Sequence, residues 1–157
     1  MPNFPQVFSW ALVLGSLPVI LEAGPPNVLL VTVDTLRADH LSCYGYGWKT
    51  SPNIDKLAHE GTRFVRAYTP IPLTGPAHLS LFTSRYPQEH GAVRNGIASA
   101  SKQPLVTLPQ FLRANGYSAA GFISGWPLTG RLTKINEWFD HYDETLTRKY
   151  QLVISSR

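Results

Sequence analysis

The sequence predicts a layered α/β/α fold with a mostly parallel central sheet between helices. Residues 27–34 form a continuous aliphatic run, which is typical of a parallel strand that is buried on both faces. Predicted strands and helices then alternate along the chain, as they do in layered α/β domains. Of the 157 residues, 43% are hydrophobic and 15% are charged, a composition that suits one globular domain with a core.

The first predicted elements follow a sharp break at Gly24, Pro25 and Pro26. The aliphatic run over residues 27–34 ends in the carboxylate of Asp34, so we expect a buried strand with an acid at its carboxyl end.

Residues 52–61 have helical spacing of their apolar positions, and Gly61 is placed to end that helix. Residues 62–69 (TRFVRAYT) alternate with a period of two residues, which predicts a strand that carries Phe64, Arg66 and Tyr68 on one side.

Residues 74–84 predict a helix with Thr74 as its capping residue and Pro76 in its first turn. Another helix is predicted over residues 108–115 and is closed by Gly116. A second strand of small and aliphatic residues follows at 117–124.

The last part of the chain is aromatic and then aliphatic. Trp138, Phe139 and Tyr142 predict a packed segment, and residues 151–157 are apolar enough for an edge strand. We expect the fold to be truncated at this point, with a natural terminal edge strand as the alternative.

The first two dozen residues stand apart from this domain. Residues 7–21 carry no charge and are followed by the small residues Ala23 and Gly24. A run of about 15 apolar residues is short for a membrane span and typical of a secretory signal. We expect a signal-like segment over residues 1–24, a secreted or periplasmic protein, and no stable membrane span after removal of the signal. No Lys or Arg precedes the run, and a buried helix or a misplaced start codon is the alternative.

Charge and cysteine content exclude several classes of function. The net charge is +4, but the arginines are scattered rather than clustered, so we expect no nucleic-acid partner. A small anionic substrate is compatible with this charge. Cys43 is the only cysteine, which excludes an internal disulfide and a metal site built on several thiolates. Single cysteines of this kind are usually small buried hydrophobic residues.

Three residues are candidates for chemistry. Asp34 closes an apolar strand at the edge where α/β sheets bind ligands, and its oxygens suit a hard divalent cation or, alternatively, cap a turn. Thr74 lies at a helix N-terminus, which attracts anions, although an ordinary cap has the same sequence pattern. His78 lies one helical turn further on the same face, where it either donates to a bound oxyanion or is simply packed.

Three motifs occur along the chain, and the longest of them covers residues 74–91 (TGPAHLSLFTSRYPQEHG). It resembles the signature of the sulfatase family, C/S-x-P-S-R-x-x-L-L-T-G-R, which is followed by a proline and a His-Gly pair. Residues 33–45 (VDTLRADHLSCYG) are similar to the first metal motif and its Cys-Tyr-Gly trailer. Residues 50–58 (TSPNIDKLA) are similar to the family helix T-P-N-L-D-x-L-A.

This resemblance implies an alkaline-phosphatase-like α/β fold and a partial, N-terminal catalytic domain over residues 27–157. It also implies a divalent cation, with calcium expected first and zinc, magnesium or manganese as alternatives, bound by Asp34 and Thr74. Thr74 occupies the place of the Cys or Ser that the family converts to formylglycine, and threonine cannot yield that aldehyde. Thr35 replaces the second Asp of a metal-binding pair, and Ala77 and His78 replace the Ser and Arg of the signature.

The implied activity is the hydrolysis of sulfate esters, with Thr74 and His78 catalytic and Arg94 and Asn95 binding a small anionic ester. Further metal ligands arrive far downstream in the family, so we expect an incomplete and inactive chain. One alternative is a phosphodiesterase or a phosphoethanolamine-type transferase that uses Thr74 directly as nucleophile. A second alternative is a non-catalytic protein in which the motifs survive as packing.

Overall fold

A computed structural model describes residues 24–99, 101 and 104–146 of the chain. In chain order, its α-helices and strands are α1 (Pro52–Glu60), α2 (Thr74–Thr83), α3 (Pro87–His90), α4 (Leu108–Ala114), β1 (Ala120–Phe122), α5 (Gly130–Thr133) and β2 (His141–Asp143). Short 3-10 turns lie at Ala38–His40, Ser42–Tyr44, Trp126–Leu128 and Ile135–Trp138.

The two strands form a parallel pair, in which Ala120 is opposite His141 and Phe122 is opposite Asp143. The chain between them passes through α5 and two 3-10 turns, because parallel neighbours need a crossover connection. Arg113 and the backbone of Ala119 both bind the Asp140 carboxylate, at 2.8 and 2.9 Å, and so fix the start of β2. The α/β class and the parallel pairing predicted from sequence are confirmed.

The core lies where α2 contacts the aromatic segment that precedes β2. Leu79 and Ala92 are fully buried and Ile135 is 2% exposed. Phe82 on α2 meets the rings of Trp138 and Phe139 edge-on, each at 5.9 Å between centroids. The aromatic segment predicted from sequence therefore packs as expected, and it holds the helix that begins at Thr74.

Tyr142 ties β2 to this core through its hydroxyl, which donates to the carbonyl of Leu128 at 2.7 Å. Burial, with a smaller contribution from Glu144, raises the pKa of Tyr142 to about 12. The ring also lies against Gly121, where an added Cβ would come within 2.7 Å of it. Glycine in β1 is therefore required for the strand to approach the ring.

A buried histidine joins α2 to α3. His90 is fully buried, its Nδ1 accepts from the N–H of Ala92 at 3.2 Å, and its Nε2 lies 2.9 Å from Oγ of Ser80. Because Nδ1 accepts, the proton of the neutral ring is on Nε2, which donates to Ser80. Burial lowers the pKa of His90, and the nearby Glu89 charge opposes that shift only in part.

His90 should make the fold sensitive to acid. Its pKa in the folded chain is lowered, so below its ordinary value near 6.5 the unfolded chain binds the extra proton first and stability falls with pH. We expect the free energy of unfolding to fall as the pH drops below about 6.5, with a slope of at most about 1.4 kcal/mol per pH unit from this group, and the fall to end once His90 is protonated in the folded chain as well. Urea midpoints measured at pH 8, 7, 6 and 5 test this.

In His90→Gln the same loss should be reduced, although the variant starts from lower stability because the buried contacts with Ser80 and Ala92 change. The exposed His59→Gln is the control and should leave the midpoint at pH 8 unchanged. An identical fall with pH in His90→Gln and the parent chain would contradict this assignment.

Helix α1 forms as the sequence predicts, with Pro52 in its first turn and Gly61 just beyond its end. Ser51 is buried, and its hydroxyl donates to Asp55 at 3.0 Å. The N–H of Cys43 donates to the same carboxylate at 2.8 Å. Partial burial acts to raise the pKa of Asp55, but these hydrogen bonds hold it below its ordinary value. Cys43 itself is half-buried rather than buried, and burial raises the pKa of its thiol.

Two predicted strands are wrong. Residues 27–34 and 62–69 have no strand in the structure, and large apolar side chains there are exposed, among them Leu29 (87%), Val65 (73%) and Tyr68 (86%). A strand exists only when a neighbour binds its backbone, and within the described residues the two strands pair with each other. Phe64 instead accepts a hydrogen bond from the Tyr44 hydroxyl at 2.8 Å through its carbonyl.

The predicted signal-like run at 7–21 and the predicted edge strand at 151–157 lie outside the described residues. Within the described ranges, no helix is long and apolar enough to cross a membrane.

Candidate active site

Asp34 and Thr74 meet although 40 residues separate them in sequence. Oγ1 of Thr74 lies 3.2 Å from Oδ1 of Asp34 and 3.5 Å from Oδ2, and the hydroxyl donates to the carboxylate. Asp34 is exposed and Thr74 is half-buried, so solvent and small solutes reach the pair. The acid and the alcohol that the sequence singled out therefore share one site.

Backbone strain marks the residue that follows the acid. Thr35 has φ 56°, in the left-handed region that β-branched residues rarely adopt. Such a conformation costs about 1–3 kcal/mol and persists only where surrounding structure imposes it. The turn at Thr35 follows directly on the carboxylate that contacts Thr74. Sequence reasoning missed this strain, because φ is not encoded in the residue type.

Thr74 is the first residue of α2, and Leu73 is the N-cap. The predicted capping role of Thr74 is therefore wrong, because its hydroxyl donates to Asp34 instead of accepting from a backbone N–H of its own helix. An apolar cap leaves the first N–H groups of the helix to other partners.

Asn95 supplies one of those partners. Its Oδ1 accepts from the N–H of Gly75 at 2.8 Å, so the residue predicted to bind substrate lies beside Thr74. Pro76 has no N–H, and the N–H of Ala77 donates to the carbonyl of Leu73 at 2.9 Å. The helix end thus offers fewer backbone donors to an anion than the sequence suggested.

His78 is directed back along the helix. Its Nδ1 lies 2.7 Å from the carbonyl oxygen of Thr74, to which a protonated Nδ1 donates. When Nδ1 carries the proton of a neutral ring, Nε2 holds a lone pair, and it can donate to an oxyanion only when the ring is cationic. The expected donor role of His78 therefore needs the imidazolium form.

Arg94 is the remaining residue that the sequence assigned to substrate binding. It is exposed on the turn before Asn95, and its contact with substrate stays a prediction. Asp140, a carboxylate in the aromatic segment before β2, is bound to Arg113 and to the N–H of Ala119. Its role is structural.

The Asp34–Thr74 pair has the spacing of two ligands of one cation. Neighbouring oxygens around one cation lie about 2.9–3.7 Å apart when the cation–oxygen distance is about 2.0–2.6 Å. The observed separations of 3.2 and 3.5 Å and the oxygen donors fit that arrangement. Among the described residues no cluster of three or more His, Cys, Asp or Glu side chains could hold a metal. Calcium takes six to eight oxygen ligands, so this pair can supply only part of a calcium site.

Comparison with known proteins identifies the family of this chain. The sulfatase family model matches residues 26–152. The chain is 36% identical over 123 residues to arylsulfatase A of Bos taurus, covering 76% of this chain and 24% of that protein. It is 31% identical over 117 residues to N-acetylglucosamine-6-O-sulfatase of Bacteroides thetaiotaomicron, covering 74% of this chain and 20% of that protein. The chain thus spans about a quarter or less of the length of these relatives.

A solved structure shares the fold. The phosphonate monoester hydrolase of Agrobacterium radiobacter superposes with a TM-score of 0.57 at 33% identity, over 64% of this chain and 19% of that one. This neighbour supports the alkaline-phosphatase-like α/β class expected from the motifs. With the family match over residues 26–152, it follows that the chain belongs to the sulfatase family.

Proposed function

We propose that this chain carries the nucleophile side of the active site of a metal-dependent sulfate ester hydrolase. One observation carries the proposal: the Thr74 hydroxyl donates to the Asp34 carboxylate across 40 residues of sequence. The sulfatase family model covers the motifs around both residues, and arylsulfatase A is among the relatives.

Thr74 is the proposed nucleophile. Its Oγ1 attacks the sulfur of the ester, the Oγ1–S bond forms, the bond from sulfur to the alcohol oxygen breaks, and that oxygen takes a proton from solvent and leaves as the alcohol. Asp34 orients the hydroxyl and accepts its hydrogen bond at Oδ1, which places an acceptor for the leaving proton beside the attacking oxygen. Water then attacks the sulfur of the threonine ester, releases sulfate and restores the alcohol.

A divalent cation, held by Asp34 and Thr74, would supply the positive charge that lowers the pKa of the hydroxyl. Calcium is the first candidate, because both donors are hard oxygens, and zinc, magnesium and manganese are the alternatives. His78 lies one helical turn from Thr74, and Asn95 contacts Gly75. In this proposal both side chains bind the ester oxygens. Arg94 adds positive charge from the adjacent turn.

The chain alone is proposed to be incomplete and inactive. Two oxygen donors are fewer than a hard cation requires, and the aligned part of this chain covers only 24% of arylsulfatase A of Bos taurus. The predicted signal-like segment makes the protein secreted or periplasmic in this proposal, and the scattered arginines favour a small anionic ester over nucleic acid.

A second candidate is a phosphate or phosphonate ester hydrolase, or a phosphoryl transferase. Thr74 favours this candidate. An unmodified threonine has a single oxygen on Cβ, so its attack leaves a covalent ester on the side chain. That ester is resolved only by water, as in a hydrolase, or by a second acceptor, as in a transferase. The structural neighbour is itself a phosphonate monoester hydrolase.

A substrate panel separates the candidates. The full-length protein containing residues 1–157 is assayed with an aryl sulfate, an aryl phosphate diester and an aryl phosphonate, in the presence of calcium, magnesium, manganese or zinc and after chelation. We expect the aryl sulfate to be hydrolysed with the highest kcat/KM, loss of activity on chelation, and no turnover by the 157-residue chain alone. A preference for the phosphorus esters would establish the second candidate. No turnover of any ester by the full-length protein would leave a non-catalytic role.

A further inference from the structure

We propose that Asn95 is a positioning residue for Thr74, which it fixes by capping helix α2 from another part of the chain. The proposal rests on the proposed role of Thr74 as nucleophile and assigns to the Asn95 oxygen a task separate from substrate binding. Oδ1 of Asn95 accepts from the N–H of Gly75, the residue next to Thr74, at 2.8 Å.

Helix α2 needs such a cap because its own sequence lacks one. The N-cap residue Leu73 has no oxygen in its side chain, and Thr74 directs its hydroxyl to Asp34. An uncapped helix end frays, since its first N–H groups have no partner inside the helix. Fraying at Gly75 would move Thr74, and with it the oxygen that contacts Asp34.

Close packing holds the cap in place. Gly75 is buried, and a Cβ added there would lie 3.3 Å from Oδ1 of Asn95 and 3.5 Å from the carbonyl oxygen of Pro127. Glycine therefore allows both groups to approach the first turn of α2. Asn95 reaches this position from a turn in which the next residue, Gly96, has φ 78°. The turn conformation depends on that glycine, because other residues rarely adopt such a φ.

The hydrogen bond also orients the amide of Asn95. Because Oδ1 is the acceptor for Gly75, the two hydrogens on Nδ2 are at the other branch of the side chain. One side chain thus has two separable ends, an oxygen that fixes the helix and an NH₂ group that binds ester oxygens in the proposed function. Replacement by aspartate keeps the first end and removes the second.

The first test does not require activity. In the ¹⁵N- and ¹³C-labelled 157-residue chain, we expect Asn95→Ala to speed amide exchange at Gly75 by roughly fivefold, the effect of a lost cap worth about 1 kcal/mol. The resonance of the Thr74 methyl group should shift in the same variant. Asn95→Asp should restore both signals, because a carboxylate oxygen still accepts from Gly75. Asn53→Ala, at an exposed position of α1, is the control and should change neither signal.

A second variant guards against a folding defect. Gly75→Ala keeps Asn95 but places a Cβ against Oδ1, so it should move the Thr74 methyl resonance as Asn95→Ala does. An unchanged Gly75 exchange rate in Asn95→Ala, or equally fast exchange in Asn95→Asp, would overturn the cap. A faster exchange at Gly75 with no shift at Thr74 would overturn the positioning role.

Kinetics on the full-length protein give the second test. We expect Asn95→Ala to lower kcat, and Asn95→Asp to recover kcat while KM for an anionic ester rises, because it loses the NH₂ group and adds negative charge. A kcat in Asn95→Asp as low as in Asn95→Ala contradicts positioning by the oxygen. If the full-length protein hydrolyses no ester, the proposed function fails while the exchange and methyl signals still decide whether the cap exists.

Discussion

Thr74→Ala in the full-length protein is expected to abolish ester hydrolysis, with kcat reduced by at least about 10³-fold and by as much as about 10⁶-fold. The reason is that the hydroxyl that contacts Asp34 disappears, so no covalent ester forms. Thr74→Ser keeps an alcohol at the same position and should retain measurable activity. Initial rates with the best substrate of the panel, measured at saturating cation, provide the comparison.

His78→Ala is the matched control for this variant, because it changes the same face of the helix without removing the nucleophile. A single positioned donor is worth about 10²–10³-fold in kcat, so this variant should be slow but active. Rapid quenching followed by mass spectrometry should find a sulfuryl or phosphoryl group on Thr74 in the parent protein and in His78→Ala, and none in Thr74→Ala. Equal residual rates for the alanine variants of Thr74 and His78 would contradict both assigned roles.

Local signals in the sequence predicted the bounds of α1 and α4 closely, whereas the one-turn helices α3 and α5 were not predicted. Pro52 at the start and Gly61 after the end give α1 nearly its predicted bounds, since both residues act through their own backbone. Thr107 accepts from the N–H of Gln110 and so begins α4 close to where the sequence placed a helix. Each of these signals lies within one helical turn of the boundary that it sets.

Strands were harder to predict because they depend on distant partners. The pattern over residues 117–124 contains β1, which forms where Ala120–Phe122 meets β2. The equally apolar run before Asp34 has no strand in the structure, and Val31 within it is 69% exposed. Hydrophobic pattern predicts that a segment suits a sheet, whereas a ladder needs a neighbour whose identity the pattern does not contain.

In the candidate site, too, local motifs were predictable and contacts between distant residues were not. Asp34 and Thr74 were predictable because each lies in a motif, and the structure brings their oxygens to 3.2 Å. The acceptor role of Asn95 was not predictable, because it depends on a turn that brings the residue against Gly75 from 20 positions away. Burial of His90 escaped prediction for a related reason, since its partner Ser80 belongs to another helix.

Asp34→Ala is expected to have the largest effect on cation binding. If Asp34 supplies a ligand oxygen, its removal should weaken the affinity of the full-length protein by more than about 100-fold, since even residues that only support ligands cost about 10–100-fold. Asp34→Asn keeps one oxygen but loses the charge, so its affinity should lie between that of the alanine variant and that of the parent. Isothermal titration with calcium and with manganese measures this directly, and activity should fall in the same order.

Asp39→Asn is the matched control, because Asp39 is an exposed carboxylate in the same segment whose partner is Arg37. It should leave the cation affinity unchanged. The 157-residue chain should bind either cation weakly, because Asp34 and Thr74 alone leave most of the coordination shell to water. Unchanged affinity in Asp34→Ala would remove Asp34 from the ligand set. The hydrogen bond to Thr74 would then serve only to orient the hydroxyl, and a cation needed for turnover would have to be bound by other residues.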